Sequence, residues 1–310
     1  MSTDVLLYIA AFAGGFLAAA FGALVAFVFT GLVLLVGIAV LISTGDGSFI
    51  SLIAFGPFFG PHISFAGGVG AAAFAARKGW LDNGKDIVTP LASLGKPVVL
   101  LVGGVFGVIG LVIQQVLSLV PWFGTHTDAV ACTVIISGLL ARLVFGRSGI
   151  IGAHSEGLTG AAKFRPTEVH VWASYQEKWS VAATLGLGAG LLAAWAAVSL
   201  ASAFPKAPGA SLVGFGISAF SLGFLALGLK MPITHHMTII GAVGATSFLP
   251  ITQSPLAAIL IGTGFAILSA LLAEAFARFW YIRGDTHMDP PASAIWPMTT
   301  LVLGLAAAFS

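Results

Sequence analysis

VLLYIAAFAGGFLAAAFGALVAFVFTGLVLLVGIAVL, residues 5–41, runs for 37 residues without a charged side chain. One helix of that length would extend about 55 Å, against a hydrocarbon core of roughly 30 Å. Phe21 and Gly22 lie near its middle, and a break there gives two spans of bilayer length; one long tilted helix is the alternative. The rest of the chain agrees with lipid as the solvent. Hydrophobic residues make up 58% of the 310 and charged residues 8%, where a soluble chain carries roughly 25% charged. So few charges cannot cover a soluble globule of this size.

Other classes fall away on composition. The net charge is +2 and no basic cluster stands outside short loops, so nucleic acid is not an expected partner. Cys132 is the single cysteine, which excludes an intrachain disulfide. The start Met1-Ser2-Thr3-Asp4 lacks the basic region of a signal peptide. The sequence holds no His-Glu-x-x-His, no serine-centred elbow and no cysteine pair, and the glycine clusters follow no strand. An enzyme is not expected.

Apolar stretches at 63–76, 98–120, 129–144, 181–204, 211–229, 238–249, 256–276 and 290–308 bring the expected spans to ten. Residues 49–55 are too short to cross and run into Gly56-Pro57-Phe58-Phe59-Gly60-Pro61, which reads as a half-helix breaking inside the membrane or as an outer-surface segment. The fold class is therefore an all-α polytopic membrane protein of about ten transmembrane helices, some broken or half-length. With the N-terminus outside, twelve of the thirteen lysines and arginines fall inside and only Lys206 outside. That bias predicts a multi-pass protein of a prokaryotic inner membrane with both termini extracytoplasmic. The polar loops 79–95 and 146–180 then lie in the cytoplasm. The second carries His154, Glu156, Glu168 and His170, and its residues 168–178 suit a short interfacial helix with Trp172 and Tyr175.

A small motif occurs four times: Gly60-Pro61-His62-Ile63-Ser64, Thr125-His126-Thr127-Asp128, His235-His236-Met237-Thr238 and Thr286-His287-Met288-Asp289. Each places a histidine two residues before Ser, Thr or Asp, followed by an apolar stretch. His62 to His236 is a shift of 174 and His126 to His287 a shift of 161. Gly103 maps onto Gly262, and Gln115 onto Glu274, at a shift of 159. The expected domains are two five-span repeats, 1–146 and 179–310, joined by the cytoplasmic loop 147–178. An odd number of spans makes the second repeat inverted relative to the first, an arrangement common among alternating-access carriers.

Ser64, Asp128, Thr238 and Asp289 are expected to cap helix N-termini, where side-chain oxygens accept otherwise unpaired N–H groups. Asp289-Pro290 suits this best, with proline at the first helical position. Capping does not require a histidine two residues earlier. Imidazoles at membrane depth need a partner or water, so His62, His126, His236 and His287 are candidate substrate or ion ligands together with the four cap residues; His235 reads as a neighbour. The two His-x-Asp pairs, His126 with Asp128 and His287 with Asp289, are the candidate metal ligands. Glu274 is the one acid well inside a span, as a proton or cation carrier or as an ion-pair partner of Arg278; Gln115 is its neutral counterpart. No cofactor is required, although a divalent metal ion would suit as substrate or ligand.

The stretch Thr286-His287-Met288-Asp289-Pro290-Pro291-Ala292 resembles, over these seven residues, the His-Pro-Pro membrane family linked to nitrite movement. Here Met288 and Asp289 stand between the histidine and the prolines. The inverted halves resemble secondary transporters in general. The expected function is a proton- or ion-coupled secondary transporter of a small solute or metal cation, with its site between the halves. Helix N-termini in the site would favour an anion, whereas its acids and histidines favour a cation or proton. The alternatives are a passive channel or facilitator for a small solute or anion, and a non-transporting metal-binding or assembly subunit. Glycine-rich surfaces are compatible with a homo-oligomer in the bilayer.

Overall fold

Gly22, at φ 91°, divides residues 5–41 into α1 (Val5–Phe21) and α2 (Ala23–Thr44) in a computed structural model that describes residues 4–153 and 158–310. L-residues avoid this backbone region. A Cβ there would also lie 2.6 Å from the Val88 carbonyl oxygen. The loop around residue 88 covers the break, and the Leu24 N–H donates to the Ile87 carbonyl at 2.8 Å. The freed helix end is thus satisfied by protein rather than left in lipid.

The remaining helices are α3 (Ser64–Arg77), α4 (Pro97–Ser118), the one-turn α5 (Phe123–His126), α6 (Ala129–Phe145), α7 (Trp179–Ala203), α8 (Val213–Ala226), α9 (His235–Thr252), α10 (Pro255–Phe276) and α11 (Pro290–Phe309). Each of the ten apolar stretches holds a helix, and no strand occurs among the described residues. Six stretches are long and apolar enough to cross a membrane: Ala23–Thr44, Pro97–Ser118, Trp179–Ala203, Pro208–Ala226, Pro255–Tyr281 and Pro290–Phe309. Val5–Phe21 and Ala129–Phe145 are apolar but shorter. The chain has the character of a helical membrane protein.

One packing pattern occurs twice. Helices α1, α3 and α4 pack on one another and α6 lies against α3 and α4; likewise α7, α9 and α10 pack together and α11 lies against α9 and α10. Glycine permits the close approach in both groups, by removing the Cβ that would hold backbones apart. A Cβ on Gly15 would stand 2.7 Å from the Gly107 Cα, and one on Gly241 would stand 3.2 Å from the Gly190 Cα. The correspondence extends to the histidine segments. A Cβ on Gly110 would overlap the His62 carbonyl, and Ser269, 159 positions on, donates its hydroxyl to the His236 carbonyl at 3.0 Å. Gly110→Ala is expected to cost about 1–3 kcal/mol by overpacking, read as a lower Tm of the detergent-purified protein. An unchanged Tm would show that α4 can withdraw from His62 without cost.

The two groups meet through α2 against α8 and α6 against α11. Both pairs run antiparallel. Along α2, Val28 lies near Gly223 and Leu35 near Gly216. Along α6, the Thr127 hydroxyl at its start donates to the Trp296 carbonyl at 3.3 Å, whereas Gly138 faces the His287 carbonyl.

The expected break after residue 55 is present. A π-helical turn, Ile50–Ala54, ends at Phe55, and α3 begins only at Ser64. Within the break, the Phe59 carbonyl accepts the hydroxyls of Thr30 (2.7 Å) and Ser64 (3.0 Å). A second non-helical segment precedes α9, and there Gln176 takes both backbone groups of Ile233. Its amide donates to the Ile233 carbonyl at 3.0 Å, and its oxygen accepts the Ile233 N–H at 2.9 Å. This corrects one expectation: residues 168–178 form turns rather than an interfacial helix. Ala173 packs into the main core and Trp172 and Tyr175 against it, whereas Val169 is exposed. His154 and Glu156 lie outside the described residues.

Arg142, 1% exposed near the end of α6, grips the chain leading into α11. Its Nε donates to the Thr286 hydroxyl (2.9 Å) and its Nη2 to the Thr286 carbonyl (2.6 Å); Nη1 reaches the carbonyls of Trp280 (2.5 Å) and Ile150 (3.1 Å). Asp285 beside it accepts the Ser148 hydroxyl at 2.6 Å and the Arg147 N–H at 2.5 Å. Burial acts to raise the Asp285 pKa, but these donors and the Arg142 charge hold it below the ordinary aspartate value.

Candidate functional site

A cavity of about 750 Å³ lies where the two groups of helices meet. The first group contributes Leu24, Phe27, Phe65, Asp128 and Val134; the second contributes Phe215, His235, His287, Asp289 and Ile295. The loops add Lys85, Asp86, Trp172 and Tyr175.

Two of its three lining carboxylates, Asp128 and Asp289, stand there because two helices start there. Asp128 and Asp289 hold extended backbone angles and cap α6 and α11. Asp128 accepts the Ala131 N–H at 2.8 Å through Oδ1, and Asp289 accepts the Ala292 N–H at 2.7 Å through Oδ2. The other oxygen of Asp289 lies 3.3 Å from the His287 Nε2. The His287 ring is enclosed by Phe65 and Tyr281, each with its centroid 5.5 Å away. Both His-x-Asp motifs therefore deliver a capping aspartate to the cavity, as the sequence suggests.

The capping expectation for the other two motifs is corrected. Ser64 is the first residue of α3 and donates to the carbonyls of Phe59 and Gly60, while Thr238 lies within the first turn of α9 and donates to the His235 carbonyl at 3.1 Å. Neither caps, because each sits inside the helix where its hydroxyl bonds back to the preceding turn.

The candidate histidines separate. His126 is half-buried, stacked on Trp122 with centroids 4.7 Å apart, and its Nδ1 lies 2.8 Å from the Trp122 carbonyl oxygen. It is not among the cavity-lining residues. His62 and His236 are buried behind the lining, where Pro61 and His235 stand in their place. Among the described residues, the His62 Nδ1 and both ring nitrogens of His236 have no hydrogen-bond partner. His235, which the sequence marks only as a neighbour, is the member of its pair that lines the cavity; its Nδ1 is likewise unpartnered.

Glu274 and Gln115 lie elsewhere. Glu274, 3% exposed, receives Arg278 Nε at 2.8 Å, and that guanidinium also donates to the Glu177 carbonyl and lies 4.2 Å from the Trp179 ring centroid. This is the ion-pair arrangement that the four-residue spacing permits. Gln115 lies 3.5 Å from the Tyr8 hydroxyl. Among the described residues no group of three or more His, Cys, Asp or Glu side chains is placed to hold a metal ion. In particular, His126 lies away from the cavity that Asp128, His287 and Asp289 line.

Sequence reasoning missed Lys85. Its ammonium lies 5.1 Å from the Tyr281 ring centroid. Burial first, and then repulsion from Arg142, depress its pKa, while Asp285 partly offsets them. Asp86 is occupied locally, accepting the Val88 and Thr89 N–H groups at 2.9 Å each and the Thr89 hydroxyl at 2.6 Å. Asp128 and Asp289 are thus the lining acids that helix starts supply, each with one oxygen on its own helix and the second oxygen of Asp289 beside His287.

No curated protein and no solved structure matches this chain. One family model, described as a family of unknown function (DUF7973), matches it twice, over residues 1–168 and again over 156–310. The chain belongs to that family.

Proposed function

We propose that the protein is a secondary transporter of a small solute, coupled to protons or another cation, built from two inverted five-span repeats. It would reside in a prokaryotic inner membrane with both termini outside. The observation that carries the reading is the cavity between the helix groups, lined from both and holding one capping carboxylate from each. The twofold family match supports duplication. Inversion is supported by the antiparallel packing of α2 on α8 and of α6 on α11. These are the pairs that helix order within the two repeats makes equivalent, and an axis lying in the membrane plane relates such helices head to tail. The breaks before α3 and α9 are the interruptions that a midplane site uses, with irregular backbone satisfied by protein.

Asp128 and Asp289 would take the coupling cation or proton. In proteoliposomes under an imposed pH gradient, with a lumenal pH dye, a transported solute is expected to evoke proton flux. Asp128→Asn and Asp289→Asn should each reduce that flux about tenfold or more, since a carboxylate that exchanges its charge is replaced by an amide that cannot. Asparagine caps as well as aspartate, so the variants should fold. Solute flux that follows only its own gradient and ignores both variants would replace the carrier by a passive facilitator.

A further inference from the structure

We infer that the central cavity binds an organic ammonium ion with an apolar body of about the size of an aryl ring; the inference rests on the transport reading for the cavity's role as a substrate site. The conflict between helix ends that favour an anion and acids that favour a cation is resolved by who occupies the helix ends. Asp128 and Asp289 already sit on the N-termini of α6 and α11. The positive ends of the dipoles are spent on the protein's own carboxylates, and an anionic solute would face both of them. A bare metal ion needs several hard or imidazole ligands converging, and no such group exists among the described residues.

The walls select for an apolar body. Phe27 meets Phe65 edge-on at 6.2 Å and Phe215 at 6.0 Å, and Phe55 stacks on Phe215 at 6.2 Å, so the lining is a continuous aromatic surface. Ring faces attract ammonium groups and exclude carboxylates, an effect strengthened away from water. His235 lies in this surface, its ring 4.9 Å from Phe27. Lys85 is the one permanent competitor for the acids, and its ammonium is directed onto Tyr281 instead. The volume of about 750 Å³ lies in the range of pockets that enclose small organic ligands.

Three molecules with one ring and different charge test this: 2-phenylethylamine, 2-phenylethanol and phenylacetate, titrated calorimetrically into the detergent-purified full chain at pH 7. The amine is expected to bind about tenfold or more tightly than the alcohol, a ratio of the size that one desolvated charge and its ring contacts supply. Phenylacetate should bind weakest. Asp128→Asn and Asp289→Asn should erase the advantage of the amine while leaving the alcohol unchanged, a pattern that misfolding cannot produce. Alcohol or phenylacetate binding as tightly as the amine overturns the inference, as does an amine preference that survives both variants. Binding of none of the three to folded wild type also overturns it. The two readings fail separately. Flux of a neutral or anionic solute in proteoliposomes would leave transport standing and remove the ammonium site. Saturable amine binding without flux of any solute would do the reverse.

Discussion

Replacing Arg142 by methionine is expected to destabilise the protein by about 3–5 kcal/mol, the scale seen when a buried charge network loses a member. Methionine nearly matches the length of the side chain but supplies no donor. The carbonyls of Ile150, Trp280 and Thr286 and the Thr286 hydroxyl would lose their contacts with the guanidinium together. The Gly284 backbone, packed on the guanidinium so closely that a Cβ would overlap it, would lose its support as well. Lysine is not a substitute, because one ammonium cannot reach three carbonyls fixed by a planar fork. Arg142→Lys is therefore expected to recover less than half of the loss. The measurement is the Tm in detergent, with tryptophan fluorescence reporting on Trp280. Because the gripped segment leads directly to His287 and Asp289, binding in the cavity should fall even at temperatures where the variant is folded. A Tm equal to wild type in Arg142→Met would show that the neighbouring contacts of Asp285 hold the segment alone.

Much of this architecture is legible in the chain because lipid imposes simple rules. A charge-free run of 37 residues is too long for one untilted span, and glycine tolerates a break, so a division near Gly22 is the sequence's leading reading over one long tilted helix. The recurring His-x-Ser/Thr/Asp motif marks true structural junctions. Two of its four copies cap, since Asp128 and Asp289 precede helices that begin one residue later. The other two do not, because Ser64 is itself the first residue of α3 and α9 starts at His235, three residues before its apolar stretch. A polar first turn hides a helix start from an apolar-run reading. The placement of the histidines is less legible. Motif equivalence predicts equivalent positions, but cavity access depends on which neighbour a one-residue rotation of the backbone presents. That rotation puts His235 rather than His236 at the wall and leaves His126 on Trp122. Arg142, Gln176 and Lys85 act across more than fifty residues of sequence, on Thr286, Ile233 and Tyr281. Local patterns contain no signal for such pairings.

Gln176 is the sharpest of these long-range links, and Gln176→Leu is the second large effect expected. Residues 229–234, between α8 and α9, form neither helix nor strand, so their N–H and C=O groups have no ladder to join. Gln176 supplies both halves of a ladder pair from one side chain that is 2% exposed. Leucine fills similar volume and satisfies neither group. Each unsatisfied buried group costs about 1–3 kcal/mol, so the loss should be about 2–5 kcal/mol. Gln176→Glu separates the two contributions. A carboxylate still accepts the Ile233 N–H, but it repels the Ile233 carbonyl, and the charge is itself costly in a buried site. Glutamate is therefore expected to be no better than leucine at neutral pH and to improve as the pH falls and the acid protonates into a donor. Amide hydrogen exchange at Ile233 gives the local readout, with protection lost in Gln176→Leu while the interiors of α7 and α10 stay protected. Since Ile233 lines the cavity and His235 follows two residues later, ligand binding should weaken in step with that exchange. Unchanged protection at Ile233 in Gln176→Leu would mean that the segment finds water or another partner, and that its conformation is set by Tyr175, whose hydroxyl donates to the Met231 carbonyl at 2.7 Å.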